Sequence, residues 1–156
     1  MKTKIYFLGF ALIGLLMFST SCQKEKDAIE ESLGVKYTVS VNGNTAWDNN
    51  TKNASISATM EGSRLKITIK DGTKEVVMYA KEFVKGKYIF DALKHVNTGI
   101  YKEDAKTFDG ATGGDNYIEI KYIHTDSKTF DGDFNFVCTD GNETKTLHGA
   151  WANVKR

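Results

Sequence analysis

At 156 residues, with 21 Lys and Arg against 20 Asp and Glu, the chain has a formal net charge of +1 and offers no field of one sign to attract nucleic acid or an anionic membrane surface. Its length suits a single domain with a core large enough to stand without disulfide staples. Proline is absent, so the edges of any β-sheet are left to Lys, Asp and Gly to blunt.

The first element is an address. Lys2 and Lys4 precede an uncharged apolar run of 14 residues, Ile5 to Phe18, and then the small residues Ser19, Thr20 and Ser21. This is the three-part pattern of a secretory signal peptide over residues 1–21. As a helix the run reaches about 21 Å, short of the roughly 30 Å hydrocarbon core, so it is a poor permanent span. With Cys22 directly after the small residues, the segment resembles a bacterial lipoprotein signal, although Ser19 stands where Leu is commonest. That resemblance implies a Cys22 that is acylated, palmitate included, and becomes the first residue of the mature chain. Ordinary cleavage after Ser19-Thr20-Ser21, leaving a free secreted domain, is the alternative. Several acyl chains, at about 0.8 kcal/mol per buried methylene, hold a protein firmly on a membrane.

Removing residues 1–21 takes away Lys2 and Lys4 and leaves 135 residues with 19 basic and 20 acidic side chains, a net charge of about −1. Residues 22–34 read as a tether. Gln23-Lys24-Glu25-Lys26-Asp27 resembles the charged export tag of Bacteroidota lipoproteins displayed on the outer face of the outer membrane, with Lys26 interrupting the acids; a plain solvated tether is the alternative. Asp27 caps at most a short helix in which Ile29 and Leu33 share a face.

From Val35 the apolar residues recur in period two, with turn signals every 8 to 12 residues, which predicts an all-β domain over 35–156. Tyr37, Val39 and Val41 share a face, and Asn42-Gly43-Asn44 makes a turn. Ile56, Ala58 and Met60 follow, then Leu65, Ile67 and Ile69 against Arg64, Lys66, Thr68 and Lys70. Glu75 to Phe83 is apolar on both phases in its middle, as in a strand covered on both sides. Lys87 to Asp91 is half a strand, residues 92–98 form a helical turn or a loop, and 109–115 is a glycine-rich loop. Near the end, Ile118, Ile120 and Tyr122 form one apolar face, Phe130, Phe134, Phe136 and Cys138 another, and Leu147 with Trp151 a third. About nine strands and almost no helix are expected. D-x-K-T-F-D-G occurs at Asp104–Gly110 and again at Asp126–Gly132, 22 residues on, and predicts a repeated turn into a strand with Phe inward and Asp-Gly at a bend.

Val41-Asn42-Gly43-x-x-Ala46-Trp47, Asp126-x-Lys128-Thr129-Phe130-x-Gly132-x-Phe134-x-Phe136 and Gly149-Ala150-Trp151-x-Asn153-Val154 together resemble small Bacteroidota lipoproteins of unknown function. The resemblance covers most of residues 35–155. It implies a lipoprotein with an antiparallel β-sandwich and brings no activity, substrate or catalytic residue.

The site signals are sparse. Asp131-x-Asp133-x-Asn135 matches the first half of a calcium loop, but Phe136 replaces the Gly and a strand spreads each pair over about 7 Å, so no metal is expected. Asp109, Asp115 and Asn116 in the glycine-rich loop are a second weak candidate set. His95, His124 and His148 lack metal-ligand spacing. No nucleophile motif occurs, and Cys138 sits in the apolar phase of a strand, so no enzyme activity and no cofactor are expected. Trp47, Tyr101 and Tyr117 are candidate exposed aromatics for stacking on a sugar ring or a protein partner, against the alternative that Trp47 and Trp151 anchor the core.

The sequence therefore predicts an outer-membrane protein held by Cys22 and exposed at the cell surface, or else facing the periplasm. Its domain is predicted to be an antiparallel β-sandwich, or alternatively a lipocalin-like closed barrel. The expected role is a binding or adhesion-type module for an extracellular glycan or envelope protein, with no nucleic-acid partner. Alternatives are a glycan-binding accessory lipoprotein, a barrel for a small lipophile, and a glycoside hydrolase using the outward Asp residues.

Overall fold

The alternation read above becomes eleven β-strands in a computed structural model, which describes residues 34–91 and 96–156. They are β1 (Lys36–Val41), β2 (Asn44–Asp48), β3 (Ala54–Glu61), β4 (Arg64–Asp71), β5 (Lys74–Ala80), β6 (Gly86–Ile89), β7 (Thr98–Glu103), β8 (Lys106–Gly110), β9 (Tyr117–His124), β10 (Thr129–Thr139) and β11 (Thr144–Lys155). All belong to the unit Val35–Arg156. The predicted signal peptide, Cys22, the tether as far as residue 33, and His95 lie outside the described residues. Among the described residues no helix is long and apolar enough to cross a membrane.

The all-β expectation holds, with every ladder antiparallel, in one sheet ordered β2-β1-β11-β10-β8-β7-β5-β4-β3. The sheet forks at β10. Its first half pairs with β9, which carries β6, while Cys138 and Thr139 pair with Gly110 and Asp109 of β8. Bending there brings β3 close to β11 and β5 close to β9, giving a nearly closed, barrel-like sandwich around one core.

Two strands beyond the expected nine account for the difference in count. Asn44–Asp48 lacks alternation, yet Asn42-Gly43 turns it back onto β1, with a register shift between Val39 and Ser40. Lys106–Gly110 is too short to show a period, but it closes against β7 and the end of β10. Thr98–Glu103 is strand rather than helical turn from its first residue.

The interior is filled by aromatic rings. Trp47 stacks on Tyr101 at 6.4 Å, Tyr101 tilts onto Phe108, and Trp151 lies against Phe130 and Phe134. Each fully buried ring or aliphatic chain contributes about 1.5–3 kcal/mol. Glycine makes room for two of them: the Trp151 indole and the Glu119 carbonyl occupy the space a Cβ on Gly132 would need, and the Phe134 ring and the Thr38 carbonyl do so at Gly149.

One expected face is corrected. Opposite Asp131, β9 carries Lys121 as an extra residue and β11 carries one extra residue between Trp151 and Val154. Each bulge reverses the alternation beyond it. Tyr122 therefore leaves the apolar face and is 59% exposed, while Ile123 packs on the core in its place, and Val154 rather than Asn153 points inward. Both copies of the repeated motif bury their Phe, as predicted, but the positive-φ turn residue is Asp104 in one and Lys128 in the other.

Candidate functional site

The three candidate aromatics separate. Trp47 and Tyr101 are 2% and 1% exposed, so the expectation of surface stacking fails for both. They alternate inward because β1 and β5, their ladder partners, present Val39 and Val76 to the core beside them. Burial raises the Tyr101 hydroxyl pKa well above its ordinary range. Tyr117 does face outward, but the Lys87 ammonium lies 3.7 Å from its ring centroid and covers that face. Tyr122, freed by the β9 bulge, is the exposed ring that alternation alone could not find.

The outward acids of β10 are all engaged. Asp131 accepts a hydrogen bond from the Asn153 N–H at 2.8 Å on one oxygen and lies 3.2 Å from His124 Nε2 on the other, tying together the two bulged neighbours. Asp133 is paired with Lys121 at 2.6 Å. Asn135 donates to the Asp115 carbonyl at 2.9 Å. In the same loop Asn116 accepts from the Val137 N–H at 2.7 Å and donates to Gly113, so its side chain holds the loop against β10. Among the described residues no group of three or more His, Cys, Asp or Glu is placed to hold a metal ion. Cys138 is fully buried, and burial pushes its thiol up to about 12.

The opposite outer face has a different character. Arg64, Lys66, Thr68 and Lys70 alternate outward along β4, and their ladder partners place Ser57 and Thr59 on one side and Glu75, Val77 and Tyr79 on the other, with Ile100 and Lys102 beyond. These side chains line a groove of ≈ 320 Å³. Its floor is Thr68, Val77 and Ile100, and the long chains of Lys66, Tyr79, Lys70 and Lys102 stand around it. One end is Lys66, bonded to Glu61 at 2.8 Å, with Arg64 stacked 4.2 Å from the Tyr79 ring centroid. At the other end Glu75 takes Lys70 at 2.9 Å and Lys102 at 3.0 Å. The Lys70 contact, joined by Lys102 and working against burial, holds the Glu75 carboxyl below the usual range.

Three lysines and one carboxylate line this groove. On the β6–β9–β10 face, by contrast, Lys85, Lys87 and Lys121 are matched by Glu119, Asp131 and Asp133. The cationic excess is thus local to one face of a chain that is balanced overall. Comparison with protein-family models, curated proteins and solved structures finds no match. The chemistry of the groove therefore stands on its own residues: it presents cations, hydroxyls and a small apolar floor on a rigid sheet, and the side chains around it are suited to hold a polar ligand.

Proposed function

We propose that the protein is a lipid-anchored binding module of the cell envelope, attached through Cys22 and engaging its ligand on the outer face of β3, β4, β5 and β7. The observation that carries the reading is the contrast between an interior packed with rings and an exterior groove with an excess of lysine. A packed core leaves little room for a lipophile, and the outward acids of β10 are already engaged by His124, the Asn153 N–H and Lys121. The signal peptide, Cys22 and the charged stretch behind it supply the envelope part of the reading.

The test joins intact-mass measurement of the protein from its native membrane to protease shaving of whole cells. A lipid-sized mass increase at Cys22 together with loss of the domain on shaving is the expected result. An unmodified Cys22 sinks the anchoring reading, and a lipidated domain protected from protease moves the ligand search to the periplasm.

A further inference from the structure

The groove has a charge layout that narrows its ligand. Lys66 and Lys70 are four residues apart on β4, so their stems are about 13 Å apart along the strand. Lys70 and Lys102 flank Glu75 from two strands whose backbones are about 10 Å apart, and their ammoniums converge on its two carboxylate oxygens. Between the cationic ends lie hydroxyls from Ser57, Thr59 and Thr68 and the small apolar surface of Val77 and Ile100. The side chains of Lys66, Lys70 and Lys102 are 30%, 56% and 46% exposed, with Lys66 paired to an exposed Glu61 and the other two to a half-buried Glu75. The exposed Lys66–Glu61 pair contributes about 0–1 kcal/mol, so an incoming anion can replace Glu61 at little cost, while at the other end each ammonium carries three N–H donors and can share an anion with Glu75.

We propose that this groove holds an acidic oligosaccharide, with one carboxylate or sulfate at Lys66, a second at Lys70 and Lys102, and ring hydroxyls against Ser57, Thr59 and Thr68. The inference rests on the reading of the domain as a binding module and names the ligand class of that site. Charge complementarity selects an anion, and the span between the two ends calls for several linked rings. Hydroxyls interleaved with a small apolar floor suit a sugar, which shows polar edges and C–H faces together. A single-stranded nucleic acid needs free ring faces for its bases, and the Tyr79 face is taken by Arg64. A phospholipid needs a channel for its chains, whereas Ile67, Ile69, Val76 and Met78 are fully buried under the groove.

The test is calorimetric titration of the mature protein, taken from its native membrane into detergent micelles, with four probes. These are a galacturonic acid tetramer, a sulfated tetramer, an uncharged glucose tetramer and a glutamate-rich peptide of the same charge. The expected result is binding of one or both acidic tetramers that weakens with added salt, with the uncharged tetramer and the peptide much weaker. Lys70→Gln and Lys102→Gln each lower that affinity by about tenfold, the range of a charge-assisted hydrogen bond. Glu75→Gln removes the competing carboxylate and raises it several-fold, a gain that misfolding cannot imitate. Equal binding of the uncharged tetramer overturns the acidic ligand class while leaving the binding module intact. Preference for the peptide, no binding of either acidic tetramer, or unchanged affinity in Glu75→Gln also overturns it. An unmodified Cys22, in contrast, would sink the anchoring reading and leave this one standing.

Discussion

Asp131 shows how one carboxylate serves a structural end that its sequence context disguises. It sits where β9 and β11 both bulge, and its two oxygens reach the Asn153 N–H and His124. Asn153 has a φ of 57°, a left-handed conformation that Asn tolerates better than most residues. Asp131→Ala strips the acceptor from that N–H and is expected to cost about 1–3 kcal/mol in urea unfolding, with Asp131→Asn recovering much of the loss because one acceptor oxygen remains. Cys138 gives a second prediction at this scale. Its thiol is neutral up to about 12 in the folded protein against an ordinary 9.0. A thiol reagent at pH 8 is expected to leave Cys138 unmodified until denaturant is added; fast labelling of the native protein would contradict its burial. Of the residue-scale features, inward Phe130, Phe134 and Phe136 were legible from alternation and inward Phe108 from the repeated motif. The true place of Tyr122 was not, because a bulge leaves no local mark in sequence and depends on the strand opposite.

Among the elements, β10 organises the sheet by pairing with different strands at its two ends. Rings close directly over the backbone at Gly132 and Gly149, on adjacent strands. Gly132→Ala is expected to destabilise more than an alanine substitution at the open turn position Gly141, where a Cβ meets nothing within 4 Å. Overpacking costs about 1–3 kcal/mol, while the turn substitution carries backbone strain alone, of about 1 kcal/mol; melting temperatures of the two variants decide the order. Strands with clean alternation, β4 above all, could be read directly. β2 and β8 could not, since five residues show no dependable period and only the ladder partners define them. The groove escaped sequence reading for a related reason: Lys66, Lys70 and Lys102 look like an ordinary solvent face until the ladders set them around Glu75.

Across the whole molecule, ion pairs on the outer faces set the response to acid. The Glu75 carboxyl is held low by Lys70 and Lys102, and that of Glu103, despite burial acting the other way, by Lys74 and Lys145. A depressed folded-state pKa contributes stability that is complete above the unfolded value, here 4.5, and is lost as pH falls through the folded one. Stability is therefore expected to decline below about pH 4.5. Glu103→Gln should be less stable at pH 7 and show a shallower acid limb, as read from urea midpoints across pH; an unchanged slope would remove Glu103 from the account. The fold class was legible because a single period runs through most of the domain. The choice between an open sandwich and a closed barrel was left unsettled by sequence, because that depends on where distant strands meet.

The first strand of the domain pairs with the last, Lys36 opposite Ala152 through Val41 opposite Leu147. That clasp carries a kinetic consequence. Contacts this distant in sequence are slow to form, and the loop between them must be closed before they contribute anything. A chain that has not yet gathered β11 cannot complete the β1 ladder. The early strands thus keep an open edge until the last strand of the domain arrives, and the sheet locks only when nearly all of the domain's sequence is in hand.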